Sequence, residues 1–74
     1  MDLKPLTPVQ KHVYTKIYEQ YKNEKISPTI RELMDSLNYH STSAVWTLVR
    51  VLQEKGYIKI IDYKARGYIP LVDL

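Results

Sequence analysis

The sequence predicts a mainly α-helical domain with a small β component, on three observations. Apolar residues recur at helical spacing in three blocks before Gly56. Each block opens on a residue that can cap a helix: Thr7, Thr29 and Ser41. After Gly56 the period changes, and "YIKII" and "GYIPL" are β-branched and aromatic runs of the kind that form strands.

The first helix starts where Thr7 caps and Pro8 occupies the first helical position, at which a missing N–H costs nothing. Val9, Val13, Ile17 and Tyr21 then recur every four residues, with Tyr14 and Tyr18 widening the stripe. This helix is expected to end near Asn23 to Lys25. "ISP" follows as a short extended piece, because Pro28 biases Ser27 away from the helical region. The second helix opens with "TIRE", a capping box in which Thr29 and Glu32 satisfy each other's amides. Ile30, Leu33, Met34 and Leu37 form its apolar side. Two turns are too few to stand alone, so it must pack on its neighbours. Asn38 tolerates the left-handed conformation that ends helices, and Tyr39 is placed to fold back as an apolar lock. Ser41 caps the third helix, Val45, Leu48, Val49 and Leu52 supply its buried side, and Gly56 stops it. The two terminal runs, separated by "DYKAR", predict an antiparallel hairpin with Ile58 and Ile60 on one face. Which of Tyr68, Ile69 and Pro70 point inward is left open by the pattern.

The 74 residues make one domain, 1–74, with residues 1–5 expected to be flexible. There is no cysteine, hence no disulfide and no thiolate metal site. Apolar residues are 45% of the chain, and no apolar run approaches the roughly 20 residues of a membrane span. "MDLKPL" lacks the apolar core of a signal peptide, so a cytoplasmic protein is expected. The net charge is +3. It is concentrated late: from Asn38 to Val72 the chain carries Arg50, Lys55, Lys59, Lys64 and Arg66 against Glu54 and Asp62. A basic second half suits an anionic partner.

The second and third helices, joined by a turn of three or four residues, form a helix-turn-helix. The hydroxyl run "STS" at the start of the third helix leaves N–H groups uncovered and admits a phosphate-lined groove. Around this unit "SPTIRELMDSLNYHSTSAVWTLVRVLQEKGYI" resembles winged helix-turn-helix domains, and most resembles the N-terminal DNA-binding domain of LexA-type repressors. The matching features are "LTPVQ" opening the first helix, "PT" before the second, Ser41 opening the third, "L..KG.I" closing it and "RG" in the returning strand, over Leu6 to Leu71. The resemblance implies a three-helix winged fold whose C-terminal β-hairpin is the wing. It implies a third helix lying in the major groove and a wing touching the backbone of double-stranded DNA, with the protein on the nucleoid when bound. Carried over, Ser41, Ser43, Ala44, Trp46 and Thr47 fall on the base-reading face. The chain departs from the family at Ser43, Trp46 and Thr47, where Asn and Glu are usual, so an operator other than the family's own is expected. The self-cleaving protease domain is not in these 74 residues, and a fragment or a free-standing small repressor-like regulator of transcription is expected.

The candidate DNA-binding residues are Ser41, Thr42, Ser43, Ala44, Trp46, Thr47, Arg50, Lys64 and Arg66. Ser41 caps its helix whether or not it also meets phosphate. Trp46 and Thr47 lie roughly 100° and 200° round the helix from Val45. Thr47 is therefore exposed, while Trp46, at the edge of the stripe, reaches a thymine methyl or a sugar, shields the core, or anchors a protein partner. Arg50 follows one turn later for a phosphate, or is simply solvated. Lys64 and Arg66 at the hairpin tip suit the neighbouring backbone, with Tyr63 between them stacking on a sugar or covering the hairpin. His12 and His40 have no carboxylate at metal-ligand spacing. No nucleophile with a base and no Gly-rich phosphate loop nominates a reaction, so no enzyme, cofactor or small-molecule substrate is expected. A single module buries too little surface for tight specific binding, so two copies on a palindromic site, by weak self-association, are expected. The rival reading is a winged-helix protein-interaction module that uses Trp46, Tyr63 and a strand face.

Overall fold

The computed structural model describes residues 4–61 and 64–73. Three helices, α1 (Pro8–Glu24), α2 (Ile30–Leu37) and α3 (Thr42–Glu54), precede the strands β1 (Ile58–Ile60) and β2 (Tyr68–Pro70). The strands form one antiparallel pair, with Ile58 opposite Pro70, Lys59 opposite Ile69 and Ile60 opposite Tyr68. This is a three-helix winged helix-turn-helix with a hairpin wing.

Local chemistry sets every helix boundary. Thr7 accepts from the Gln10 N–H at 3.3 Å, and Gln10 Oε1 accepts from the Thr7 N–H at 3.1 Å, closing a capping box around Pro8. Thr29 and Glu32 do the same for α2, at 3.1 Å in each direction. Lys25 and Asn38 end α1 and α2 in the left-handed region, at φ 63° and 59°. Beyond Asn38 the Tyr39 N–H donates to Met34 O at 2.9 Å, and its half-buried ring packs on the core as the expected lock. Gly56 takes φ 87°, a conformation that side chains resist, and the Tyr57 N–H then closes back on Leu52 O.

The core is drawn from every element: Val13, Tyr14 and Ile17 of α1, Leu33 of α2, Val45, Val49 and Leu52 of α3, Ile58 of β1 and Tyr68 of β2. Tyr68 is thus the inward residue that the strand pattern left open, placed opposite Ile60, which packs on the same core. Val9 departs from the expected stripe and is 48% exposed. It sits one turn before Val13, at the rim of a shallow hollow bordered by Leu37 and Tyr39, past the point where α2 covers α1. The Tyr14 hydroxyl accepts from the Val72 N–H at 3.1 Å and donates to Val72 O, tying the chain after β2 to α1. Burial pushes its phenol above the usual tyrosine value. Of residues 1–5, expected to be flexible, Lys4 and Pro5 are held: Lys4 O accepts from the Tyr57 hydroxyl and Pro5 O from Lys55 Nζ. Residues 1–3 lie outside the described residues. Among the described residues, no helix is long and apolar enough to cross a membrane.

Candidate nucleic-acid interface

Helix α3 separates cleanly into two sides. Val45, Val49 and Leu52 are fully buried, whereas Thr42, Ser43, Ala44, Trp46, Thr47 and Arg50 are exposed. Ser41, also exposed, caps the helix by accepting from the Ala44 N–H at 3.3 Å. The first-turn amides of Thr42 and Ser43 have no acceptor within the helix, since the residues one turn earlier are not helical. The first turn carries no acidic residue, so the positive end of the helix dipole is not neutralised from within. Thr47, exposed, turns its hydroxyl back onto Ser43 O at 2.9 Å. Arg50 is the sole charged residue between Thr42 and Gln53.

Trp46 is 38% exposed. Its ring meets Tyr68 edge-on, with centroids 6.3 Å apart, so it joins the exposed side of α3 to the hairpin. The wing is fastened again on α2. Arg66 makes a two-pronged pair with Glu32, Nη1 to Oε1 at 2.8 Å and Nη2 to Oε2 at 2.7 Å, and Nη1 also donates to Ser27 O at 3.0 Å. The Ser27 hydroxyl, 1% exposed, accepts from the Tyr68 N–H at 3.2 Å. Arg66, expected at the hairpin tip for a phosphate, is paired with Glu32 at the surface in this structure, its side chain 41% exposed, because the fork of the guanidinium matches the carboxylate. Lys64 and Lys59 remain exposed on the hairpin, and Tyr63 lies outside the described residues.

Sequence reasoning missed the roles of Ser27 and Glu32 in holding the wing. "TIRE" reveals Glu32 as a cap, and it is one, but its second partner is 34 residues away and leaves no local signal. The pair has a pH signature. Arg66, with help from the Thr29 N–H, holds the Glu32 carboxyl down to about 2 from an ordinary 4.5. A depressed carboxyl contributes stability above its unfolded value and loses it as pH falls toward the folded one. Wild-type protein should therefore lose melting temperature between about pH 4.5 and pH 2. Glu32→Gln, melted in parallel by circular dichroism, should show a shallower fall across that window. Equal slopes would mean that the pair does not favour the folded state.

Residues 3–67 match the family profile described as LexA DNA binding domain, a span from before α1 to the residue preceding β2. The chain is 36% identical over 62 residues to the LexA repressor of Pelagibacter ubique, covering 84% of this chain and 28% of that protein. It is 37% identical over 68 residues to the LexA repressor of Alcanivorax borkumensis, covering 92% and 33%. It is 30% identical over 64 residues to the transcription regulator LexA of a Synechocystis species, covering 86% and 32%. The chain spans about a third of the length of these curated relatives.

Proposed function

The chain belongs to the LexA DNA-binding domain family, and from that premise we propose that it binds double-stranded DNA sequence-specifically and acts in transcriptional repression. The observation that carries this reading is the division of α3. One side is sealed into the core, and the other, from Thr42 to Arg50, exposes Thr42, Ser43, Ala44, Trp46 and Thr47 with Arg50 as the one charge of that stretch. Such a rod fits the major groove, where its first turn meets base edges and phosphates. In this reading Ser41, Thr42, Ser43, Ala44 and Thr47 lie nearest the bases, and Trp46 contributes its exposed edge. Arg50 and Lys64 pair with phosphates, which position the module without carrying sequence information. Arg66 supports the interface by holding the wing through Glu32. Two copies on a palindromic site supply the buried surface that one module lacks, and binding places the protein in the cytoplasm on its DNA.

The test is selection of bound duplexes from a random pool, followed by anisotropy titration of the winners against scrambled duplexes. A recovered two-fold-symmetric motif bound at least 10³-fold more tightly than scrambled DNA is the expected result. Recovery of no motif, with equal affinity for all duplexes, would refute sequence-specific reading.

A further inference from the structure

Trp46 is the one large apolar side chain on the outer side of α3, among Thr42, Ser43, Thr47 and Arg50. It is not a loose surface group. Its ring rests edge-on against Tyr68, itself 6% exposed and part of the core. The Tyr68 backbone is in turn held by the Ser27 hydroxyl. The indole is therefore anchored on β2. Beside it, Trp46, Ile30, Thr42 and Ser43 border a shallow hollow at the head of α3. The hollow is apolar where Ile30, half-buried and packed on the core, meets the indole. Its rim is polar, made of the two hydroxyl residues whose amides begin the helix. With no acidic residue in that first turn and Arg50 one turn beyond Trp46, the charge around it complements a polyanion.

We infer that this hollow takes the 5-methyl group of a thymine, with Trp46 and Ile30 as specificity-determining contacts. The inference rests on the DNA-binding reading above and names one base for it. In the major groove only thymine offers a methyl group; at the same position cytosine has a bare C5–H, and the other distinguishing features of the base pairs are hydrogen-bond donors or acceptors. A recess walled by indole and isoleucine leaves the amino group of cytosine or adenine without a partner, which is unfavourable. It buries a methyl group with gain. Because Tyr68 already holds the indole, little side-chain freedom is lost when the base arrives. Burial of one methyl-sized group corresponds to roughly a four-fold change in affinity.

The decisive experiment replaces each thymine of a selected duplex in turn by uracil, which removes the methyl group and keeps every hydrogen-bonding atom. Anisotropy titration of the unaltered protein should find one thymine in each half-site whose replacement weakens binding roughly three- to five-fold. Trp46→Ala should lower affinity for the thymine duplex, erase the thymine–uracil difference at that position and leave the salt slope unchanged. If Trp46→Ala does not retain the wild-type circular dichroism melt, Ile30→Val, which trims the other apolar wall of the hollow by one methyl group, takes its place and should narrow the thymine–uracil difference; an unchanged difference in folded Ile30→Val overturns the inference. Equal affinity for every uracil analogue overturns the inference and leaves the DNA-binding reading standing. So does a thymine–uracil difference that persists in folded Trp46→Ala. A chain that selects no duplex overturns both.

Discussion

Gly67→Ala is expected to destabilise the domain by about 1–3 kcal/mol, the range of an overpacked site. A Cβ at position 67 would stand 2.6 Å from Ile61 O, 3.0 Å from Ile61 Cβ and 3.1 Å from Lys64 O. Two of these three are backbone oxygens and cannot rotate aside. Relief therefore requires the two strands to separate where the Ile61 N–H donates to Gly67 O at 2.8 Å. The movement would carry its neighbours: Arg66 would leave Glu32, and Tyr68 would shift beneath Trp46. For a domain of this size the melting temperature should fall by about 5–20 °C. DNA affinity should fall as well at temperatures where the variant is still folded. Coincident melts would show that the loop can shift to admit a methyl group.

The second large effect concerns salt. Arg50→Ala combined with Lys64→Ala should reduce the slope of log affinity against log salt by about two, because each phosphate contact contributes about 0.9. Arg66→Ala should leave the slope nearly unchanged. Its guanidinium is paired with Glu32 and with Ser27 O, so its loss acts on the placing of the wing and not on counterion release. Anisotropy titrations of the three proteins from 50 to about 200 mM salt separate the outcomes. A slope reduced by about one in Arg66→Ala would show that the arginine leaves Glu32 for a phosphate when DNA is present. An unchanged slope in the double variant would remove both residues from the phosphate contacts.

What could be read in the sequence follows the range of the interactions involved. Thr7, Thr29 and Ser41 act within three residues of themselves, and each caps its helix as the pattern requires. The end of α2 at Asn38 and the fold-back of Tyr39 are likewise settled within one turn. The buried stripe of α3 follows from spacing alone, and its complement is the candidate interface. Legibility fails where the answer depends on what another element covers. Val9 has the right spacing for the core, but α1 extends past its cover there. Tyr68 points inward because β1 presents Ile60 opposite it, a register that no strand reveals by itself. Arg66 looks like a free cation at a hairpin tip until α2 brings Glu32 beside it. Ser27 looks like an ordinary loop serine until the Tyr68 N–H comes to face it.

That serine bears on how two such molecules can associate. In this register the amides of Ile60 and Tyr68 point away from the partner strand, toward the free margins of the hairpin. Gln53 Oε1 accepts the first at 3.0 Å, and Ser27 Oγ accepts the second. Pro70, the other outward position of β2, has no amide to offer. The β2 margin therefore holds no hydrogen atom with which an incoming chain could extend the sheet. Sheet extension along that border is thereby disfavoured, since an incoming strand finds acceptors there and no donor. Pairing of two copies on a duplex is thereby directed away from the β2 margin, toward side chains elsewhere or the spacing of the two sites on the DNA itself.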